Sequence, residues 1–229
     1  SSDVCSSDLQ LFGEMIALWL ITKWQLLGRP ASFCLLELGP GQGTLMQDIV
    51  RISNDIMPEM LKSAHIYLYE INPYFVAKQQ AKLWQYNINW INNLDILPDL
   101  PLITIANEFF DALPIKQYMK IGKNWQESVM TLDPVNSMIK YSTVGILENL
   151  HTQFDIEHPN SSDCAVLEES IETLKVIRFL SKKIDQNGGN MLLIDYGYYI
   201  KPGERNSKQY ISTLQAIKNH QYVPIIDYL

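Results

Sequence analysis

A short apolar run, Phe33-Cys34-Leu35-Leu36-Glu37-Leu38, stops abruptly at Gly39-Pro40-Gly41-Gln42-Gly43, after which residues 44–52 resume helical spacing. A strand, a glycine-rich turn and a helix in immediate succession form the opening of a strand–helix–strand unit. That unit commits the chain to right-handed crossovers and a parallel sheet. The remaining pattern agrees. Residues 65–70, 88–91, 102–106 and 191–195 read as further strands, and residues 11–27 and 74–86 as helices; Gly28 with Arg29-Pro30 ends the first, and Asn72-Pro73 starts the second. The expected fold is α/β, a doubly wound, mainly parallel, Rossmann-like sheet with an N-terminal helix. Residues 116–121 and 127–132 suggest a hairpin, residues 133–165 a polar, peripheral insertion, and residues 167–184 a long helix closed by Asn187-Gly188-Gly189.

In a doubly wound sheet, ligands sit beyond the carboxyl ends of the strands, where both the glycine turn and Glu70 fall. Glycines at 39, 41 and 43 let the backbone turn tightly and approach a ligand with no intervening side chain. Their spacing is Gly-x-Gly-x-Gly; Thr44 stands where a dinucleotide fingerprint has its third glycine, which disfavours a nicotinamide-dependent oxidoreductase. No phosphate-loop Gly-x-x-x-x-Gly-Lys-Ser/Thr sequence is present. A carboxylate at the end of the second strand can accept two hydrogen bonds from a ribose diol, the role expected of Glu70. Taken singly, the glycines are a tight turn and Glu70 a solvated strand end. In register on successive strands, they point to a nucleoside-type ligand.

Composition narrows the class. With 47% hydrophobic residues in 229, the chain can bury one full-sized core, so a single domain over residues 10–229 is the default. Eighteen Lys and Arg against 25 Asp and Glu give a net charge of −7 with no basic stripe, which argues against nucleic acid as a partner. An acidic chain without an anion-binding lysine suits an adenosyl ligand that carries a sulfonium cation. Cys5, Cys34 and Cys164 are too far apart for a zinc site and point to a reducing compartment. The four histidines also lack ligand spacing, so no metal is expected. The apolar stretch 15–22 is too short to span a bilayer. Residues 1–9, with Ser-Ser-Asp at 1–3 and again at 6–8, look non-native.

Four segments together resemble one family. They are Leu11-Phe12-Gly13-Glu14-Met15-Ile16, Glu37-Leu38-Gly39-Pro40-Gly41-Gln42-Gly43-Thr44-Leu45, Ala106-Asn107-Glu108-Phe109-Phe110-Asp111-Ala112-Leu113-Pro114 and Ile194-Asp195-Tyr196-Gly197-Tyr198. They resemble the successive signatures of the MidA family of class I, S-adenosyl-L-methionine-dependent methyltransferases, over about residues 10–222. The resemblance implies that Gly39, Gly41, Gly43 and Thr44 hold the methionine end of the cofactor and Glu70 its ribose, with Asn92 or Asn93 near its adenine. It implies protein arginine methylation of a respiratory complex I subunit during assembly, in a bacterial cytoplasm or a mitochondrial matrix. Oligomeric state is not legible. Two departures stand out. The chain has Cys5-Ser6-Ser7-Asp8-Leu9 where the family has Ser-Pro-Glu, and it ends soon after the stretch at 214–222, so the resemblance implies a C-terminally incomplete domain.

Methyl transfer from a sulfonium is an in-line displacement in which alignment supplies much of the rate, with effective molarities on the order of 10⁵ M or more for aligned reactants. Few catalytic side chains are needed. For a guanidinium acceptor the candidates are Asn107, Glu108 and Asp111: Glu108 to orient or deprotonate the acceptor, Asn107 to position it. The plainer alternative makes Asp111 a helix cap and Glu108 a solvated loop acid. Phe109 and Phe110 can wall a cation site or simply pack in the core. Asp195 and Tyr196, at the end of a later strand, can line the acceptor side but have no specific task, and Glu14 can close over the cofactor or cap its helix. A cofactor-binding assembly factor without turnover remains an open alternative.

Overall fold

The computed structural model describes residues 2–134, 138–197, 210–218 and 221–223. Tyr198 of the fourth signature, and residues 219–220 within the 214–222 stretch, lie outside the described residues. The chain forms two compact units, one from residues 1–112 and 175–196, the other from residues 113–174 and 197–229.

The first unit is built on five parallel strands, β1 (Phe33–Leu38), β2 (Ala64–Tyr69), β3 (Ile88–Ile91), β4 (Leu102–Asn107) and β9 (Gly189–Ile194), in the order β3-β2-β1-β4-β9. With these go the helices α1 (Ser2–Leu26), α2 (Thr44–Ile56), α3 (Pro58–Ser63), α4 (Pro73–Leu83) and most of α6 (Ile171–Asn187). All six residues of β1 are buried, as expected of a central parallel strand covered on both faces. This is the doubly wound architecture that the strand and helix pattern predicts. The chain lays β2 and β3 outward on one side of β1, then crosses back to place β4 and β9 on the other. The winding therefore reverses between β1 and β4, where such sheets take up ligands. Leu38 is in register with both Tyr69 and Ala106, and Tyr69 with Ile91. The turns after β1, β2, β3 and β4 consequently leave from one edge. Among the described residues no helix is long and apolar enough to cross a membrane.

Helix α1 buries Ile16, Ala17, Leu20, Ile21 and Trp24 along one face in the main core, where Met46, Ile49 and Val50 of α2 also lie. The two helices meet closely at Gly13, where a Cβ would sit 2.5 Å from the Cβ of Asp48. Beside it, Arg51 donates to Asp48 at 3.1 Å and to Glu14 at 3.5 Å. Glu14 is thus in the middle of α1, engaged with α2, and is no helix cap. The two effects of Gly13→Ala oppose each other. Alanine favours an exposed helix by roughly 1 kcal/mol over glycine, but overpacking a close contact costs about 1–3 kcal/mol. Asp48 Cβ is fixed to its own helix backbone and cannot swing aside, so the clash wins. Gly13→Ala is expected to lower the thermal unfolding midpoint; an unchanged midpoint in calorimetry would show that α1 and α2 can separate freely.

The second unit is a four-stranded antiparallel sheet of order β7-β6-β5-β8, from β5 (Lys116–Ile121), β6 (Asn124–Leu132), β7 (Ile139–Gly145) and β8 (Val166–Glu169). Its core gathers Tyr118, Trp125, Leu167, Tyr210 and, from helix α5 (Glu148–Glu157), Phe154. The expected hairpin is present, with β6 starting at Asn124, so that Gly122-Lys123 alone makes the turn. Residues 133–165 supply β7 and α5 to this unit. The helix expected over residues 167–184 needs correction. Residues 166–169 pair with β5, Leu167 opposite Tyr118, and α6 starts only at Ile171, where the Ser170 hydroxyl accepts from the Thr173 amide at 3.1 Å. Apolar spacing at 167 and 171 suits either state, and pairing with β5 decides for strand.

Candidate cofactor and acceptor site

The glycine turn is held at both ends. The Gly39 amide donates to the Tyr69 carbonyl at 3.0 Å, and the Gly43 amide closes the turn onto the Pro40 carbonyl at 2.8 Å. Gly39 and Gly41 have φ of 61° and 53°, in the left-handed region that favours glycine. They differ in surroundings. A Cβ on Gly39 would strike the Phe109 ring at 2.7 Å, whereas one on Gly41 would meet nothing within 4 Å. Gly39 therefore serves packing against the β4 loop, and Gly41 is the position whose backbone faces open space.

Glu70 follows β2 and is half-buried, its amide bonded to the Ile91 carbonyl at 3.0 Å. Its Oε1 accepts the Asn72 amide at 2.8 Å, and its Oε2 receives the Gln79 amide group at 3.4 Å. Asn72 caps α4 by accepting from the Tyr74 amide at 3.0 Å. Asn92 and Asn93 follow β3; Asn92 is exposed, while Asn93 accepts from the Asp95 amide at 3.0 Å and so starts a short 3-10 turn. Thr44 starts α2, its hydroxyl accepting from Lys82 at 2.7 Å.

Asn107 ends β4, and the chain then bends at Glu108, whose φ of 48° is unusual for a residue with a side chain. The Glu108 amide donates to the Ile194 carbonyl at 2.8 Å. The next two amides, of Phe110 and Asp111, both donate to Asp195 Oδ2, at 3.1 and 3.2 Å, while Asp195 Oδ1 accepts from Tyr196 at 2.8 Å. Asp195 thus holds the 108–111 turn from β9. Among the described residues the carboxylates of Glu108 and Asp111 have no partner, both residues are exposed, and Asp111 begins no helix. Phe109 is buried, edge-on to Tyr69 and Phe110 at 6.1 and 5.1 Å between centroids, and serves the core.

The structure therefore brings Gly39, Gly41, Gly43, Thr44, Glu70, Asn92, Asn93, Asn107, Glu108 and Asp111 to one edge of one sheet. Three residues with no assigned role in the sequence reading join them. Asp195 is the brace just described, and Gln79 is the neighbour of Glu70. Glu37, in β1 two residues before the turn, is buried with no hydrogen-bond partner on Oε2, and burial raises its carboxyl to about 8. A charged residue inside an apolar strand was the available signal for Glu37. Gln79 lies in Lys78-Gln79-Gln80-Ala81-Lys82, which reads as a solvated face and gives no signal. Among the described residues no group of three or more His, Cys, Asp or Glu could hold a metal.

An open turn at Gly41, a carboxylate beside it at Glu70 and an orphaned buried carboxyl at Glu37 suit a ligand with hydroxyl and cationic groups. The comparisons agree. Among known proteins, a mitochondrial protein arginine methyltransferase NDUFAF7 homologue of Caenorhabditis elegans is 33% identical, over 95% of this chain and 54% of its own length. The Drosophila melanogaster homologue is 28% identical over 95% and 53%. The chain spans about half the length of these curated relatives. Among solved structures, two from Burkholderia thailandensis, both of one superfamily, share the fold. One has a TM-score of 0.75 at 16% identity, covering 94% of this chain and 56% of that one. The other, bound to S-adenosyl-homocysteine, has 0.66 at 15%, covering 82% and 47%. A family model described as "Putative S-adenosyl-L-methionine-dependent methyltransferase" matches residues 15–228, and the chain belongs to that family of S-adenosyl-L-methionine-dependent methyltransferases.

Proposed function

We propose that this chain binds S-adenosyl-L-methionine through Gly39, Gly41, Gly43 and Thr44, with Glu70 on the ribose and Asn92 or Asn93 beside the adenine, and methylates an arginine side chain of a protein. The observation that carries the reading is the shared edge: glycine turn and Glu70 on one side of the winding reversal, Asn107 to Asp111 on the other. The arginine acceptor is supported by the names of the relatives, which are protein arginine methyltransferases. A subunit of respiratory complex I as partner, and a mitochondrial or bacterial cytoplasmic setting, follow from the family resemblance and the relatives' mitochondrial names.

When bound, the cofactor supplies a methyl group already activated by its sulfonium. The chain's own task is alignment and proton management. Asn107, fixed at the end of β4, positions the acceptor. Glu108 pairs with the guanidinium, holds one nitrogen toward the methyl group and takes the proton which that nitrogen gives up on methylation. Asp111 offers a second carboxylate to the planar cation. Asp195 keeps these groups in place by fixing the backbone of their turn.

Calorimetric titration with S-adenosylmethionine, S-adenosylhomocysteine and NADH tests the binding half. Both adenosyl ligands are expected to bind and NADH is not. Glu70→Ala removes a charged acceptor, and such hydrogen bonds contribute about 1.5–3 kcal/mol. Loss of affinity for S-adenosylhomocysteine by about 10- to 100-fold is expected. Equal affinity in a folded Glu70→Ala chain would remove Glu70 from the ribose role.

A further inference from the structure

We infer that Gln79 is a positioning residue of the cofactor site: its buried amide group holds the Gly41 carbonyl and the Glu70 carboxylate in place, and Trp90 in turn fixes that amide.

Gln79 lies in α4 and is fully buried. A primary amide is costly to bury unless its polar atoms are paired. Here they are. Nε2 donates to the Gly41 carbonyl at 2.8 Å and reaches Glu70 Oε2 at 3.4 Å, while Oε1 accepts from Trp90 Nε1 at 3.0 Å. The amide's orientation follows from chemistry. An indole N–H can only donate, so it must face the oxygen; a carbonyl and a carboxylate can only accept, so they must face the nitrogen. Glutamate at this position would set two carboxyl groups against each other, and an apolar residue would take the donor from the Gly41 carbonyl and from Glu70 Oε2.

The same helix grips the turn a second time. Lys82, three residues on, donates to the Thr44 hydroxyl at 2.7 Å, and a Cβ on Gly43 would come within 3.2 Å of Gln79 Cγ. The geometry at Glu70 shows what the arrangement leaves free. Oε1 carries a firm 2.8 Å bond from Asn72, but Oε2 has only the long contact to Gln79, so it keeps lone pairs for a ligand hydroxyl. One buried amide thus links the turn after β1, the acid after β2 and strand β3, and sets the spacing between the two ligand-facing groups.

The inference rests on the S-adenosyl reading of the site, and the test separates the two. Gln79→Met keeps an unbranched side chain of similar length without polar atoms. S-adenosylhomocysteine is titrated calorimetrically into wild type, Gln79→Met, Glu70→Ala and the double variant, and the Trp90 indole N–H resonance is followed by NMR. Gln79→Met is expected to remain folded, to shift the Trp90 indole signal and to bind about tenfold more weakly. In the double variant the two losses are expected to be markedly less than multiplicative, because Gln79 acts partly through Glu70. Wild-type affinity in Gln79→Met, or losses that simply multiply, overturns the role of Gln79 while leaving the cofactor site intact. Failure of wild type to bind overturns both. Should Gln79→Met not fold, Trp90→Phe removes the donor that fixes the amide oxygen, and a severalfold loss of affinity is expected there. Unchanged affinity in folded Trp90→Phe then overturns the inference.

Discussion

Between about pH 5 and pH 8 the ligand-free chain is expected to lose folding stability as the pH rises, and Glu37→Gln is expected to remove most of that loss. Glu37 is buried in β1, 3% exposed, and burial raises its carboxyl from 4.5 to about 8. The folded chain therefore keeps this proton up to about pH 8, while an unfolded chain gives it up near 4.5. In that window the native state binds more protons than the unfolded state, so stability falls with rising pH; it is intact below the window and lost above it. At one pKa unit per about 1.4 kcal/mol, the loss amounts to several kcal/mol. That is a large part of the roughly 5–15 kcal/mol that a domain holds. Glutamine has nearly the same shape and never ionises. Denaturant melts of wild type and Glu37→Gln from pH 5 to 8.5 should diverge, the variant being the more stable at the alkaline end. Glu169 is also raised and leaves a weaker slope of the same sign in both, since it is only partly buried. Cys34, raised to about 11, titrates outside the window. Parallel curves for the two chains would show that Glu37 is ionised in the folded state and that water or a neighbour reaches it.

The same residue shows where sequence reading succeeds and where it stops. Glycine spacing and strand alternation were local signals, and they were enough to predict the parallel sheet, the turn and the carboxylate on the next strand. Residues 33–38 form β1 because six apolar-rich positions before a glycine turn have no better place than the sheet's middle. Signals failed where a distant partner decides. Leu167 belongs to a strand because Tyr118 lies opposite it, sequence-distant from any helical pattern. Gln79 looks solvated in its own segment and is buried because Gly41, Glu70 and Trp90 converge on it. Asp195 had no visible task because the two amides it accepts from lie 84 and 85 residues earlier. Gly13-Glu14 belongs to the first of the family signatures, and in the fold the pair joins α1 to α2.

Glu108→Gln and Glu108→Gly together separate proton transfer from orientation. Both are expected to bind S-adenosylhomocysteine as wild type does, since Glu108 follows β4 and the glycine turn follows β1. Glutamine keeps the shape and one acceptor oxygen of glutamate but cannot take the acceptor's proton. A positioned base contributes typically 10²- to 10⁴-fold, so methyl incorporation into an arginine-containing protein should fall by about that factor. Glycine removes the side chain and also relieves the backbone, because a left-handed conformation such as the φ of 48° here costs an ordinary residue roughly 1–2 kcal/mol. That gain is offset by glycine's greater freedom when unfolded, roughly 0.5–1 kcal/mol. The melting midpoint should therefore hold or rise slightly while transfer is lost. A strained residue whose replacement by glycine costs no stability has no structural reason to be glutamate, which leaves its carboxylate as the reason. If Glu108→Gln transfers at the wild-type rate and only Glu108→Gly fails, the side chain orients the acceptor and the proton leaves to water. If both variants transfer normally, the acceptor is handled by groups other than Glu108, and Asn107 and Asp111 become the positions to replace next.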